Sequence, residues 1–402
     1  MNWLSTIIDK KERLIIGLMS GTSMDGVDAA LVRISGSGTD TEAKILDFQT
    51  CPYESWLRNK LENVTNVSVA QLSELNFAVG EAFAGACMSL MEKAGIKAEE
   101  VDLIGTHGQT VFHNPPSNRH RVCSTLQIGE PDVIAERTGI TTVSDFRTRD
   151  TSSKGEGSPL VAYVDYVLFR QEEKVRVLQN IGGIASCTVV PWDINEVMAF
   201  DSGPGNLLLD GVMKINSGGM ESYDKDGMQA RVGTVDHKFL QKLMNNDYFK
   251  KPLPKTTGRE MFGRDKAEQL YRLVRDGRPQ GGVIGFSDLL ATLVQLTVDT
   301  IYGAYESYVF PRWEIDEVVL SGGGAANTLI VEKLTHKLSP VKVCLSDKYD
   351  IPFDSKEALA FAVLANETIF ANHSNLPRVT GAACSSPLGK ISIGKNVTGK
   401  SR

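Results

Sequence analysis

The sequence has few cysteines, no long apolar run and no excess of positive charge. No apolar run approaches the ~20 residues that a membrane-spanning helix needs. The 43 lysines and arginines are outnumbered by 49 acidic residues, for a net charge of -6, which argues against a nucleic-acid partner. The six cysteines include no Cys-x-x-Cys pair, which argues against a disulfide framework or a structural zinc site; they are Cys51, Cys87, Cys123, Cys187, Cys344 and Cys384.

Length and composition predict a globular protein with a sizeable core. The chain has 402 residues, of which 42% are hydrophobic and 23% charged, close to the averages for soluble domains. At ~150 residues per domain, two or three domains are expected. Residues 1–13 lack the apolar core and cleavage site of a signal peptide. We therefore expect a cytoplasmic protein without membrane partners.

Two hairpins with glycine-rich turns indicate a repeated α/β pattern. Strands at 14–19 and 27–34 flank the first turn, and strands at 175–178 and 184–190 flank the second. Helical periodicity is expected over 70–94, from a cap at Ser287 through Ile301, and from a cap at Ser355 to about Ala371. Strands are also expected at 101–104, 197–200 and 318–320. Strands that feed helices through polar turns predict ligand binding at the carboxyl ends of the strands.

The polar segment 147–158 is the expected crossing between two domains. The predicted first domain comprises residues 1–147 and about 372–402, and the second comprises residues 148–371. Residues 385–402 have little apolar content, so we expect a poorly ordered or loosely docked tail.

The first turn has the composition of a phosphate-binding loop. It is not a Walker A motif, because Val27 stands where that motif needs lysine and a strand follows. Backbone N–H groups and small hydroxyls can still bind phosphates, and Asp25 could orient magnesium-bound water. A structural hairpin turn is the alternative. The candidate residues are Gly21, Thr22, Ser23, Met24, Asp25, Gly26, Val27 and Asp28.

Two later turns each follow a strand and precede a helix. Asp201 begins the first, where a carboxylate could take a proton and the N–H groups of Gly203, Gly205 and Asn206 could bind an anion. The alternative for Asp201 is a capping or Asx-turn role. Gly322, Gly323 and Gly324 would let a flat ring or a ribose approach the backbone. An ordinary strand-to-helix turn is the alternative.

His107 and His113 flank another polar turn at the end of a strand. Two histidines six residues apart more often form structural hydrogen bonds than a metal site. We therefore expect no direct metal ligands among the protein side chains.

Eight sequence segments follow one another along roughly residues 14–376. They are LIIGLMSGTSMDGVDAALV, GTHGQTVFHNPP, SDFRTRD, NIGGIAS, FDSGPGNLLLD, PKTTGREMF, SGGGAAN and KEALAFAVLA. In this order they resemble the segments of bacterial anhydro-N-acetylmuramic acid kinase, a family of the sugar kinase, actin and chaperone ATPase superfamily.

The resemblance implies two related ribonuclease-H-like α/β domains that close on ATP. It also implies Mg²⁺-dependent phosphorylation of 1,6-anhydro-N-acetylmuramic acid, with hydrolytic opening of the anhydro ring, in cell-wall recycling. Asp201 would be the catalytic base, residues 21–28 would hold the phosphates, and Gly322 to Gly324 with Asn327 would hold the adenosine. Arg147 and Glu357 would face the sugar, with His107, Gln109 and Thr110 on the floor of the site. A homodimer is also expected.

The chain departs from the family pattern at residues 154–158, Ser186 and Ser202, which bears on sugar specificity. Two other classes are open at this point. One is an actin-like or chaperone-like ATPase switch that has no sugar acceptor. The other is a nicotinamide dehydrogenase, for which the sequence offers no complete GxGxxG fingerprint.

Overall fold

The computed structural model describes residues 3–21, 24–116, 122–276 and 283–398. The chain forms two compact units, Met1–Phe169 with Ser355–Arg402, and Arg170–Asp354. Elements are numbered along the chain. Among the described residues, no helix combines the length and the apolar character needed to cross a membrane.

The first unit is a mixed sheet with helices on both faces. Its strands are β1 (Glu12–Ser20), β2 (Gly26–Ser35), β3 (Glu42–Pro52), β4 (Leu103–Asn114), β5 (Ser124–Ile128), β6 (Thr142–Ser144) and β12 (Lys390–Ser392). Its helices are α1 (Trp3–Ile8), α2 (Ser55–Glu62), α3 (Val69–Ala94), α4 (Pro131–Thr138), α5 (Phe146–Ser152), α6 (Val161–Phe169), α14 (Lys356–Ile369), α15 (Pro377–Thr380) and α16 (Lys395–Thr398).

The second unit is a five-stranded sheet. Its strands are β7 (Arg176–Ile181), β8 (Ile184–Val190), β9 (Met198–Pro204), β10 (Glu317–Ser321) and β11 (Lys342–Leu345). Its helices are α7 (Leu207–Asn216), α8 (Met228–Arg231), α9 (His237–Met244), α10 (Arg259–Phe262), α11 (Arg264–Arg275), α12 (Phe286–Ala304) and α13 (Thr328–Leu338).

The two sheets share one topology. The first has the order β12-β6-β4-β1-β2-β3 with β5 added to β4, and the second has the order β11-β10-β7-β8-β9. In each, three antiparallel strands are followed by parallel pairing of β1 with β4, or of β7 with β10. Both hairpins and the prediction of two related ribonuclease-H-like α/β units are confirmed.

Helix α14 packs directly on the first sheet. A Cβ on Gly17 would overlap the carbonyl oxygen of Ala358, and one on Gly105 would overlap that of Phe361. Only glycine permits this approach. The predicted boundaries at 147 and 371 therefore differ from the observed ones, because α14 belongs to the first unit.

The segment from 148 to 169 also belongs to the first unit. Lys356 and Asp165 form a buried ion pair of 2.8 Å, and Tyr163 donates a hydrogen bond of 3.1 Å to Glu367 on α14. The predicted crossing at 147–158 is therefore wrong. Its polar residues form α5 and a loop that is tied into the first unit.

The predicted helices are present, with corrections at two caps. Helix α3 has a capping box at Ser68 and ends at Gly95 in the left-handed conformation. Helix α12 begins earlier than predicted, with Gly285 as its N-cap, so Ser287 lies inside it. Ser355 does precede α14, but its side chain makes no capping hydrogen bond.

The described part of the tail, residues 385–398, is tied into the first unit, which corrects the prediction of a loose tail for these residues. Strand β12 pairs antiparallel with β6 at the edge of the sheet. The Asn396 side chain accepts hydrogen bonds of 3.0 Å from both N and Oγ1 of Thr141. Backbone pairing at a sheet edge needs few apolar side chains, so composition alone did not indicate it.

Candidate active site

Gln109 on β4 holds the start of the first hairpin turn through two hydrogen bonds. Ser20 Oγ donates to Gln109 Oε1 at 2.7 Å, and Gln109 Nε2 donates to the carbonyl of Gly21 at 3.2 Å. Ser20 and Gln109 pair in the register of β1 with β4. The fully buried Gln109 thus fixes the backbone where the turn begins. Thr22 and Ser23 lie outside the described residues.

Residues 24–28 of this turn have a sterically constrained backbone and carry two carboxylates, Asp25 and Asp28. Met24 has a φ of 53°, and a Cβ on Gly26 would lie too close to the carbonyl of Cys51. Asp25 is exposed, while Val27 is buried. Asp28 accepts a hydrogen bond of 2.6 Å from Thr50 on β3. The turn therefore presents one solvent-facing carboxylate beside constrained backbone.

His107 and Arg147 form a hydrogen-bonded pair. Arg147 Nε donates to His107 Nε2 at 2.9 Å, and His107 Nδ1 lies 2.8 Å from the carbonyl of Gly108. Because Nε2 accepts, the proton must sit on Nδ1. Burial and the guanidinium charge hold the pKa of His107 well below its usual value. His107 is therefore neutral and orients Arg147.

A second bond ties Arg147 to the loop at 154–158. Arg147 Nη1 donates to the carbonyl of Gly157 at 2.6 Å. The Gly157 amide donates to Asp150 Oδ2 at 2.8 Å, and Asp150 Oδ1 accepts from Asn375 and Thr380 at 2.7 Å each. Asp150 is fully buried. The loop that departs from the family pattern is thus fixed in place by a buried carboxylate.

Glu357 lies at the start of α14, in the field of Arg147 and Lys356. Burial raises the pKa of Glu357, and the two cations partly oppose that rise.

Thr110 lies one residue beyond Gln109 and accepts a hydrogen bond of 3.1 Å from Gln127 on β5. His107, Gln109 and Thr110 all lie within β4, so the polar turn expected between His107 and His113 is instead part of a strand.

Asp201 lies within β9 and is enclosed by the segment that follows Pro254. Its Oδ2 accepts from the Thr257 amide at 3.0 Å, and its own amide donates to the Lys255 carbonyl at 3.2 Å. Tyr248 Oη donates to the Asp201 carbonyl at 2.7 Å. Asp201 as a whole residue is 7% exposed. These bonds fix its orientation, so it is neither a helix cap nor an Asx-turn residue.

Sequence reasoning missed Lys255 beside Asp201. This lysine is 3% exposed, and its Nζ lies 5.1, 5.2 and 5.9 Å from the ring centroids of Tyr248, Tyr308 and Phe200. The segment PKTTGREMF carries part of the resemblance, but no spacing rule links it to β9. Only the folded chain reveals that proximity.

The backbone amides at the start of α7 donate hydrogen bonds to the turn of the second hairpin. Those of Gly205 and Leu207 donate to the Gly183 carbonyl, and that of Asn206 donates to the Gly182 carbonyl, at 2.8–3.1 Å. The expectation that these N–H groups bind an anion is therefore wrong for Gly205 and Asn206. Gly203 has a φ of 157° and lies against Thr300 and Phe249.

The glycine turn after β10 contains crowded and open positions. A Cβ on Gly322, whose φ is 82°, would lie 2.5 Å from Asn180 Oδ1, and one on Gly324 would overlap the Ile181 side chain. A Cβ on Gly323 would meet only Asn206 Nδ2, at 3.8 Å. Asn327 caps α13 by accepting from the Ile330 amide at 3.3 Å. Gly322 and Gly324 thus have structural reasons to be glycine, while Gly323 is open.

The predicted residues form separate groups within the two units. In the first unit, Gln109 donates a hydrogen bond to the first hairpin turn, and Arg147 donates one to His107. The charge of Arg147 also acts on the pKa of Glu357. In the second unit, the Asn206 side chain lies beside Gly323. The described part of the chain contains no cluster of three or more acidic, His or Cys side chains arranged to hold a metal.

Comparison with known proteins identifies the family. The family described as anhydro-N-acetylmuramic acid kinase matches residues 13–394. The anhydro-N-acetylmuramic acid kinase of Caldanaerobacter subterraneus subsp. tengcongensis is 44% identical over 401 residues, covering 98% of this chain and 100% of that relative. The protein of the same name from Bacillus cereus is 41% identical over 384 residues, covering 94% and 98%.

Among solved structures, component A of the (R)-2-hydroxyglutaryl-CoA dehydratase from Acidaminococcus fermentans is 12% identical, with a TM-score of 0.45. It covers 89% of this chain and 99% of that chain. So distant a likeness carries no argument about activity. The match over nearly the whole length shows instead that this chain belongs to the anhydro-N-acetylmuramic acid kinase family.

Proposed function

We propose that the protein is an ATP-dependent kinase of 1,6-anhydro-N-acetylmuramic acid. It phosphorylates O6 and opens the anhydro ring with water, giving N-acetylmuramic acid 6-phosphate and ADP in the recycling of cell-wall sugars. The observation that supports this most directly is the buried Asp201 carboxylate on β9, whose orientation is set by hydrogen bonds to the backbone of residues 255 and 257.

The substrate determines what the base must do. An anhydro sugar has no free 6-hydroxyl, because O6 bridges C1 and C6. Asp201 therefore takes a proton from water, whose oxygen forms a bond to C1 while the bond from C1 to the bridging oxygen breaks. The released O6 attacks the γ-phosphorus, and the bond to ADP breaks. A carboxylate held by the Thr257 amide at 3.0 Å suits this general-base role.

The nucleotide would be bound by two turns. The hairpin turn at 21–28, braced by Gln109, offers backbone for the phosphates. The turn at 322–324 would receive the adenosine at Gly323, where the backbone is open. Asn327 would act here by capping α13 beside that turn.

The donor set fits Mg²⁺ as an ion carried by the phosphates of ATP. Mg²⁺ keeps several waters and needs only one or two protein carboxylates, and Asp25 is an exposed carboxylate on the hairpin turn. Asp25 would hold the ion through water. When bound, the ion neutralises charge on the phosphoryl group in transfer.

The acceptor sugar would be recognised by Arg147 and Glu357. A guanidinium suits bidentate binding of a carboxylate such as the lactyl group. His107 and the Gly157 carbonyl hold the Arg147 fork at 2.9 and 2.6 Å, so its orientation is set in advance. Glu357 would accept hydrogen bonds from sugar hydroxyl or amide groups.

Cellular context completes the proposal. We propose a cytoplasmic location, where ATP is supplied, and a homodimer as the assembled form. Light scattering of the purified protein tests the second point.

The Asp201→Asn variant tests the proposed mechanism. General-base catalysis contributes roughly 10²–10⁴-fold. Because ring opening and phosphoryl transfer depend on the same water, turnover should fall by about 10⁴-fold or more, with near-normal binding of ATP and sugar. Asp316→Asn is the matched control, because Asp316 also accepts a backbone amide, that of Val175 at 2.8 Å, but is exposed. Substantial activity in Asp201→Asn, or ATP turnover independent of sugar, would contradict the proposal and favour a nucleotide switch.

A further inference from the structure

The side chain of Asn206 forms no hydrogen bond within the described part of the chain. The residue precedes α7, yet its side chain makes no capping bond, and its φ of -85° and ψ of -14° are already helical. Its backbone amide is used, because it donates to the Gly182 carbonyl at 2.8 Å. Asparagine is also a weaker helix former than alanine. Neither capping nor helix propensity therefore explains asparagine at this position.

Gly323 faces this side chain and is also unexplained by the fold. Its neighbour Gly322 has a left-handed φ, and a Cβ on Gly324 would overlap the Ile181 side chain. A Cβ on Gly323 would instead make one ordinary van der Waals contact, with Asn206 Nδ2 at 3.8 Å. Two residues that lie side by side are thus of types that neither packing nor backbone conformation requires.

We propose that the Asn206 carboxamide is a direct ligand of ATP, hydrogen-bonded to an oxygen where the ribose joins the phosphate chain. This inference rests on the proposed binding of adenosine at Gly323. Asn206 belongs to the turn that follows Asp201, the residue proposed to act where the γ-phosphoryl group is transferred. Because Asn206 also faces the glycine proposed for adenosine, the ribose and the adjoining phosphate are the part of ATP expected beside it.

A carboxamide has the right chemistry for either oxygen. Its N–H groups can donate to a phosphate oxygen, and its carbonyl oxygen can accept from a ribose hydroxyl. A ligand atom that rests on Gly323 takes the place of the missing Cβ and lies beside the Asn206 side chain. The backbone bonds to Gly182 and Gly183 already fix the start of α7. ATP therefore gains this hydrogen bond without breaking one that the folded chain already makes.

The test is Asn206→Ala, measured by calorimetric titration with ATP and by urea unfolding of the ligand-free protein. The Kd for ATP should rise roughly 3–30-fold, the range expected for losing one hydrogen bond to a neutral or charged oxygen. The KM for the sugar should not change. The urea midpoint should not fall, because the side chain makes no hydrogen bond in the free protein that the substitution could remove.

Asn216→Ala is the matched control. Asn216 is the last residue of α7, is exposed, and accepts a hydrogen bond of 3.2 Å from Tyr271, so its variant should keep the wild-type Kd for ATP. Asn206→Asp then distinguishes the two oxygens. A carboxylate would repel a phosphate and weaken ATP and AMP more than Asn206→Ala does. It would accept from a ribose hydroxyl, so ATP would bind almost normally, and Asn206→Ala would weaken adenosine as well.

The outcomes separate this inference from the proposed function. An unchanged Kd for ATP in Asn206→Ala, with a raised KM for ATP in Gly323→Val, would overturn the role of Asn206 alone. A raised Kd together with a lowered urea midpoint would also overturn it, because Asn206 would then act through the fold. An unchanged KM for ATP in Gly323→Val would show that adenosine binds elsewhere, and would overturn both the proposed adenosine site and this inference.

Discussion

The neutral histidines of the first unit make its stability depend on pH. His113 lies on β4, and its Nδ1 is 3.0 Å from Thr125 Oγ1. Burial, with the charge of Arg147, lowers the pKa of His113 from 6.5 to about 4. Between pH 6.5 and about 4, the unfolded chain therefore binds a proton at His113 that the folded chain does not bind. Stability from this group is complete above the unfolded pKa and is lost as the pH falls toward 4.

The size of this effect follows from the two pKa values. With 6.5 unfolded and about 4 folded, lowering the pH from about 7.5 to about 5 should cost about 2 kcal/mol of unfolding free energy. In His113→Asn, which keeps a polar atom near the Nδ1 position, that cost disappears. The stability advantage of wild type over the variant should therefore shrink by about 2 kcal/mol across this range.

Hydrogen exchange of peptides from β4 and β5 measures the opening free energy of this unit. His373→Asn is the control, because His373 is exposed in the same unit and should keep the wild-type pH dependence. An advantage of wild type over His113→Asn that is equal at both pH values would refute the reasoning, because His113 would then not be neutral through burial.

Three further predictions concern the candidate site. Gly323→Val should raise the KM for ATP far more than that for the sugar, because a Cβ on Gly323 meets only Asn206 Nδ2, at 3.8 Å, and the added side chain would fill the space proposed for the adenosine; unchanged constants would show that adenosine binds elsewhere. Arg147→Ala should weaken use of the muramic substrate but spare an anhydro sugar without the lactyl group, and equal losses in kcat/KM would indicate a structural role. Asp150→Asn should lower the free energy of unfolding by roughly 1–3 kcal/mol in urea titrations, because the Gly157 amide would lose a charged acceptor, and should raise the KM for the sugar, since the Gly157 loop carries a partner of Arg147; a stable variant with normal KM would contradict this.

The sequence predicted the repeated architecture well because hairpins and long amphipathic helices are local features. The strands around Gly21 and Gly182 and helix α3 are specified by alternation, turn residues and caps within a few positions. Membership of the two units was harder. Helix α14 joins the first sheet through contacts with Gly17 and Gly105, which are far away in the chain.

The candidate site was predicted in part. Asp201 and Arg147 stand in motifs that can be recognised from the sequence, and the structure gives them oriented partners. The buried positions of Asp150 and Lys255 could not be found in this way, because they depend on neighbours from other elements. The amides of α7 failed as an anion site because the second hairpin already uses them, which a local motif cannot indicate.

The central claim is that water opens the anhydro ring while ATP phosphorylates the released oxygen. Incubation with ATP and 1,6-anhydro-N-acetylmuramic acid in ¹⁸O-water, stopped early and analysed by mass spectrometry of fragments, tests it most directly. We expect N-acetylmuramic acid 6-phosphate with solvent oxygen at C1, none in the phosphate ester, and one ADP for each sugar. Label in the phosphate ester, or ADP formed without sugar product, would contradict the account.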